Sequence, residues 1–232
     1  MLSIIGRGNV ASHLYSALKD SIETEIINPR TLENLPENPE IILIAVSDDA
    51  IAEIVDRLPV GNYVLAHTSG SVPMSVLTGK TPNIGVFYPL QTFTKDLDLD
   101  YKIIPVFLEG ATPEALSALE NLARLFSEDV RMADSEARRH LHLSSVFACN
   151  FNNALAGIAY EIVREAGIDF NALIPLLTQT VNKLKHITPR EAQTGPAVRN
   201  DRKVIEAHLK MLEPQPEYHE IYNNITHLIQ KK

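Results

Sequence analysis

The run Leu2-Ser3-Ile4-Ile5-Gly6-Arg7-Gly8-Asn9-Val10-Ala11 decides how this chain folds. A short apolar segment meets two glycines and then opens into residues at helical spacing, Val10, Leu14, Ala17 and Leu18. The pattern predicts a strand, a turn and a helix, with the glycines in the G-x-G-x-x-A arrangement that receives a dinucleotide. Gly6 is expected to permit the tight turn, Gly8 to let a pyrophosphate approach the backbone, and Ala11 to let helix and strand pack closely. The unpaired N–H groups at the helix start then face the phosphate charge. Gly6, Gly8, Asn9 and Val10 are accordingly assigned to a cofactor. The plain alternative is a strand–helix turn with two glycines and no ligand; the flanks favour the nucleotide.

The end of the second strand decides which nucleotide. An NAD site carries Asp or Glu about 20 residues past the glycines, to hold the ribose hydroxyls. Here Ile26-Ile27 runs out at Asn28, followed by Pro29-Arg30-Thr31, and no carboxylate stands at the tip. A guanidinium and a hydroxyl suit a 2′-phosphate instead. NADP is therefore expected, with Asn28, Arg30 and Thr31 around its phosphate; the alternative for Arg30 is a solvated loop residue.

Composition narrows the class. The chain has 232 residues, enough for one large domain or two of moderate size, and 45% of them are hydrophobic. A net charge of −8 argues against general binding to nucleic acid or anionic membranes. No apolar run approaches a membrane span, and the chain enters its first strand without a signal sequence. The start lies so near that strand that a few native residues are expected before Met1. The single cysteine, Cys149, allows neither an internal disulfide nor a cysteine-rich metal site, so no metal is assigned. A cytoplasmic protein is expected.

The first half alternates between strand and helix signals. Residues 40–46 form an almost wholly apolar strand, and Ser47-Asp48-Asp49 is expected to cap the helix behind it. Strands follow at 63–66 and 84–87, then at 103–108 and 129–132, with a short helix from Pro73 and a longer one over 113–126. This is an α/β pattern: a doubly wound, mostly parallel sheet whose ligands sit at the carboxyl ends of the strands. The cofactor edge then includes Val46, Ser47 and Asp48. After Ala133 the strands cease. Helical spacing runs without a break from Ser135 to Ala166, about 45 Å of helix, and is expected to bridge into a second, all-α domain. Further helices are expected from Asp169 to His186, over 201–212 and over 217–230, with a polar loop from Pro189. The boundary falls near 133, giving domains 1–133 and 134–232.

With these features in hand, the chain resembles two-domain reductases that join a Rossmann domain to a helical domain of the 6-phosphogluconate dehydrogenase C-terminal type. These include pyrroline-5-carboxylate reductase, the β-hydroxyacid dehydrogenases and prephenate dehydrogenase. It more closely resembles a bacterial branch of Rossmann-like NADP-binding oxidoreductases whose helical domain has no known function. The marks are His67-Thr68-Ser69-Gly70-Ser71, Pro89-Leu90-Gln91-Thr92-Phe93, His142 with Phe147-Ala148-Cys149-Asn150-Phe151, and Gln193-Thr194-Gly195-Pro196-Ala197 with Arg199 and Asp201.

The resemblance implies that Ser69 and Ser71 present hydroxyls to a substrate, with Gly70 admitting it; the alternative is a hydroxyl-rich turn capping the next helix. Relatives often carry His-Pro where this chain has Tyr88-Pro89, so Gln91 and Thr92 become the expected polar contacts. In β-hydroxyacid dehydrogenases the long helix bears a catalytic Lys with Asn one turn on, and that place falls near His142. An imidazole titrates near neutrality and can serve as acid or base. At 100° per residue Val146, Cys149 and Asn153 lie within about 40° of His142, and Asn150 about 80° round. His142, Asn150 and Ser69 are therefore the expected catalytic residues, against a structural histidine at the domain seam. His140 is expected to be solvated in a basic turn with Arg138 and Arg139, and Cys149 to be a small core residue. Asn153 and Arg199 complete the substrate set, Arg199 offering its fork to a carboxylate; a cap made by Arg199 and Asp201 is the alternative. The acidic run 96–100 lacks the Gly and Glu of a calcium loop and is expected to be solvated. Together these imply an NADP-dependent oxidoreductase acting on a small, carboxylate-bearing substrate in an interdomain cleft, dimeric through its helical domain. The rival is a catalytically silent NADP(H)-binding sensor or scaffold.

Overall fold

A computed structural model describes residues 1–231. Seven strands form one sheet: β1 (Leu2–Ile5), β2 (Thr24–Ile27), β3 (Ile41–Ile44), β4 (Val64–His67), β5 (Ile84–Pro89), β6 (Val106–Gly110) and β7 (Val130–Met132). Their order is β2-β1-β3-β4-β5-β6-β7, and every pairing is parallel except β5 with β6. The expected mostly parallel sheet is present. The order reverses at β1, so a crevice opens between the carboxyl ends of β1 and β3, where such sheets bind ligands.

Alternation along the strands builds two apolar layers. Leu2 and Ile4 of β1, with Ile41 and Leu43 of β3, pack against Ala11, Leu14 and Leu18 of α1 (Asn9–Leu18). The same layer takes in Leu119, Leu122 and Phe126 of an α-helix over Pro113–Phe126. On the other face Ile5, Ile42 and Ile44 meet Ile51, Ile54 and Val55 of α2 (Ile51–Arg57). β3 and β4 are buried along their whole length, which is why they read as unbroken apolar runs. The helix over Pro113–Phe126, α3, is capped by Thr112, whose hydroxyl accepts from the Ala115 N–H, with Pro in its first turn.

Several elements differ from expectation. The stretch from 103 does not begin a strand: residues 101–103 make one 3₁₀ turn capped by Asp100, and β6 starts at Val106. The helix expected from Pro73 is a single 3₁₀ turn, Met74–Leu77. No side chain caps the turn behind Ser47, because the Asp48 carboxylate accepts from Ser71 Oγ instead.

The long helical run is present but not uniform. It consists of α4 (Ser135–Ser145), a π-helical segment (Val146–Phe151) and α5 (Asn152–Glu165). Bonding from i to i+5 widens the turn. Counting 100° per residue therefore fails across it, and the angular alignment of Cys149, Asn150 and Asn153 with His142 does not carry through.

The chain divides into two compact units, Met1–Asn150 and the residues from Phe151 onward. The division lies later than the change of character near 133, because α4 is anchored on the sheet. In the second unit, α5 is followed by α6 (Ile174–Lys183), α7 (Pro189–Ala192), α8 (Arg202–Met211) and α9 (Pro216–Gln230). The helix expected from 169 begins as a 3₁₀ turn at Phe170–Leu173, with Pro175 in the first turn of α6. The short α7 stands where a loop was expected; Thr188 and Glu191 form its reciprocal cap, a T-x-x-E signal visible in the sequence. Tyr218 donates to Glu161 and His208 Nδ1 lies 2.9 Å from Tyr222 Oη, tying α9 to α5 and α8. No helix among the described residues is long and apolar enough to cross a membrane.

Candidate functional site

The glycine turn joins β1 to α1 at the crevice. A Cβ on Gly6 would lie 2.1 Å from the Ala45 carbonyl oxygen, so Gly6 is required by the close approach of the turn to the end of β3. A Cβ on Gly8 would meet nothing within 4 Å. Gly8 thus faces open space at the start of α1, as a turn that admits a phosphate must. That space is a cavity of about 450 Å³ whose walls include Gly8, Asn9, Val10, Val46, Ser47 and Gln91. It gathers expected residues from the ends of β1, β3 and β5. Arg7, Ala45, Thr68 and Phe93 also line it, though the sequence had assigned none of them to the coenzyme or substrate.

One wall is held by α1 itself. Asn9 Nδ2 donates to the Phe93 carbonyl at 2.9 Å. One turn further, buried His13 has Nδ1 2.9 Å from Tyr101 Oη and Nε2 2.9 Å from the Thr94 carbonyl. The segment after β5 is therefore fastened beside the glycine turn. Gln91 Oε1 accepts from the Thr92 N–H at 2.8 Å, and Thr92 is exposed.

The Asn28–Thr31 loop at the end of β2 is ordered by its own side chains. Asn28 Oδ1 accepts from the Arg30 N–H at 3.2 Å, and Thr31 Oγ1 from the Glu33 N–H at 3.3 Å. The Arg30 side chain is exposed.

A second cluster surrounds His142. Its Nδ1 lies 3.2 Å from Tyr88 Oη, and the two rings meet edge to face at 6.2 Å. A Cβ on Gly70 would sit 2.6 Å from His142 Nδ1 and 2.8 Å from Tyr88 Cζ. Gly70 thus makes room for these two rings. Burial is the main force raising the Tyr88 phenol above its ordinary pKa, with the Asp48 charge adding to it. Tyr88 therefore stays protonated at neutral pH, with both His142 Nδ1 and Ser145 as hydrogen-bond partners of its hydroxyl. His142 Nε2 has no hydrogen-bond partner among the described residues.

The loop over 67–71 carries the remaining groups. Ser69 Oγ accepts from the N–H groups of Ser71 and Val72 at 3.1 and 3.0 Å, and lies 3.4 Å from Ser71 Oγ. Its oxygen organises the turn, and because Ser71 gives its own proton to Asp48, Ser69 is the donor in the Ser69–Ser71 pair. His67 is fully buried, and its Nδ1 accepts from the Ser69 N–H at 3.1 Å. Burial first, then the Arg138 charge, lowers its pKa to about 4, so it is neutral and structural.

Arg138 is not part of a solvated basic turn. It is completely buried, pairing with Glu109 of β6 and donating to the Val72 carbonyl at 2.6 Å. Ser135 Oγ bonds the same carboxylate at 2.8 Å. One helical turn before His142, this pair fixes α4 to the sheet and to the loop over 67–72. His140 is exposed, as expected, with Nδ1 3.0 Å from the Glu136 carbonyl.

Asn150 is exposed in the π-helical segment. Asn153 and Arg199 belong to the second unit, both exposed, and Asp201 alone caps α8 by accepting from the Val204 N–H at 3.3 Å. No group of three or more metal-ligating side chains occurs among the described residues.

The comparisons with known proteins agree with this architecture. A putative NADP oxidoreductase from Bacteroides fragilis superposes with a TM-score of 0.91 at 33% identity, over 100% of this chain and 98% of the other. A reductive aminase from Aspergillus terreus, in complex with NADPH and ethyl levulinate, gives 0.69 at 13% identity over 99% and 92%. A 1-pyrroline-5-carboxylate reductase from Streptococcus pyogenes gives 0.58 at 14% identity over 100% and 98%. The last two likenesses concern the fold alone. No curated protein matches significantly. The family described as a domain of unknown function, DUF2520, matches residues 104–229, more than half of the chain, and the chain belongs to that family.

Proposed function

We propose that this protein is an NADP(H)-dependent oxidoreductase acting on a carbonyl, imine or alcohol carbon of a small substrate. The observation that carries the reading is the open turn at Gly8, set on a cavity of about 450 Å³ at the sheet's switch point. The 33%-identical Bacteroides fragilis protein, described as a putative NADP oxidoreductase, supports it. Gly6, Gly8, Asn9 and Val10 would hold the pyrophosphate; Asn28, Arg30 and Thr31 the 2′-phosphate; and Val46, Ser47 and Asp48 the edge between them. A bound nicotinamide supplies or accepts the hydride.

The chain's own residues handle the proton. His142, in its protonated form, is proposed to donate to a forming oxygen or nitrogen and to regain the proton from solvent, with the Tyr88 hydroxyl 3.2 Å from Nδ1 orienting the ring. Ser69 would turn its O–H from the long contact with Ser71 to orient the substrate. Thr68 on the cavity wall is only two residues from Gly70, which packs against the imidazole, so cofactor and proton donor share one loop. Asn150, Gln91 and Thr92 are proposed as further polar contacts, with Asn153 and, for a carboxylate, Arg199 contributed by the helical unit.

We also propose a cytoplasmic homodimer formed through the helical unit. Leu176, Val181 and Leu184 of that unit are exposed, and an apolar groove of about 290 Å³ runs between Leu155, Ile162 and Ile225. The test of the reaction is a hydride-transfer screen over keto acids, imines and their reduced forms. His142→Gln should cut turnover roughly 10²–10⁴-fold with NADPH affinity nearly unchanged. Unchanged turnover in that variant removes His142 from the chemistry, and binding without turnover on any substrate points to a sensor.

A further inference from the structure

The loop assigned to the 2′-phosphate is held by a residue from another element. Arg57, in the last turn of α2, donates from one guanidinium nitrogen to the Pro29 carbonyl at 3.0 Å and from the other to the Arg30 carbonyl at 2.7 Å. These are successive carbonyls at the end of β2, flanked by the Asn28 bond to the Arg30 N–H. The loop needs such a clamp. Leu32 and Asn34 sit at φ of +55° and +65°, a left-handed conformation costly for non-glycine residues. The ion pair of Arg57 with Glu53 is long, 3.8 Å, so the guanidinium is committed chiefly to the loop.

We infer that Arg57 is a positioning residue for coenzyme selectivity: its fork fixes the Pro29–Arg30 backbone, so that Arg30 and Thr31 meet a 2′-phosphate without first having to be ordered. This rests on the NADP(H) reading above. Two carbonyls 27 and 28 residues upstream are gripped together, which a planar fork does and a point charge does not. A guanidinium keeps its charge whatever its hydrogens bond, so the positive charge of Arg57 also stays beside the loop. The clamp acts only on the part of the coenzyme that distinguishes NADP from NAD. Its loss should therefore change one affinity and spare the other.

The experiment measures dissociation constants for NADPH and NADH by fluorescence titration of the whole protein. It compares wild type, Arg57→Gln, Arg57→Lys and Arg30→Gln, with melting temperatures as a check on folding. Arg57→Gln should weaken NADPH binding about tenfold and leave NADH binding within about twofold, since two charge-assisted hydrogen bonds to the loop are lost. Arg57→Lys should fail to restore NADPH affinity, and Arg30→Gln should be at least as defective as Arg57→Gln. An unchanged NADPH-to-NADH ratio in Arg57→Gln overturns the inference while leaving the coenzyme reading intact. Full rescue by Lys overturns it too, because charge alone would then suffice. Equal losses for both coenzymes mean that Arg57 only supports the fold. If wild type shows no preference for NADPH, the underlying reading fails first.

Discussion

Two substitutions only two residues apart, Gly6→Ala and Gly8→Asp, should separate folding from coenzyme binding. At Gly6 a Cβ would overlap the Ala45 carbonyl at 2.1 Å and crowd Ala11 Cβ at 3.1 Å. Relief requires the turn to move off the end of β3. That movement strains the Ala45 N–H bond to the Ile5 carbonyl at 2.8 Å and the Gly6 N–H bond to the Ile27 carbonyl at 3.2 Å. Overpacking against backbone together with two weakened hydrogen bonds costs about 3 kcal/mol, or roughly 6–12 °C of melting temperature for a chain of this size. Gly8 presents the opposite case. Its φ of −82° and ψ of −176° suit any residue, and the space beyond it is empty. An Asp there occupies the N-cap of α1 and leaves stability unchanged or raised by up to about 1 kcal/mol. The same carboxylate stands where two pyrophosphate charges would approach, at roughly 1–4 kcal/mol of repulsion each, so NADPH affinity should fall at least about 30-fold. Thermal melts and calorimetric NADPH titrations read the two effects. The reasoning is refuted if Gly8→Asp binds NADPH like wild type, or if Gly6→Ala melts at the wild-type temperature.

Other consequences can be checked with the same protein. Because His67 is buried with its pKa lowered to about 4, the unfolded chain takes up its proton first as the pH falls. Its contribution is complete above the unfolded value near 6.5, is lost between that value and about 4, and changes no further below. Wild type should thus lose about 3 kcal/mol more than His67→Asn between pH 7 and pH 4 in denaturant titrations, and parallel curves would contradict it. Gly70→Ala places a methyl 2.6 Å from His142 Nδ1 and should break the contact with Tyr88. The His142 ring resonances should shift in ¹H–¹⁵N spectra while NADPH affinity holds within about threefold, at a stability cost of about 1–3 kcal/mol. Unmoved resonances would show that the imidazole and the phenol are independent.

What could be read beforehand was what depends on neighbours in sequence. The fingerprint and the unbroken apolar runs of β3 and β4 are local, so residue types alone carry them. The residues proposed for the coenzyme rest on the same kind of signal: parallel strands must bring their carboxyl ends to one edge. The pairings across the sheet were not. Arg138 sits among charged and polar neighbours in a helix, and nothing local announces that Glu109, on β6, waits beneath it. Tyr88 was seen as the absence of a histidine, whereas the imidazole reaches the same place from α4. The π-helical segment was hidden because hydrophobic spacing does not distinguish bonding to i+4 from bonding to i+5. Arg57 has the same character as Arg138, its two partners lying on a strand end far upstream.

The most direct test of the account is a calorimetric titration of the unmodified protein with NADPH and with NADH under identical conditions. The account predicts one coenzyme site per chain, with NADPH bound at least about tenfold more tightly because Arg30 meets its 2′-phosphate. Failure to bind either coenzyme, or equal affinity for both, would contradict it.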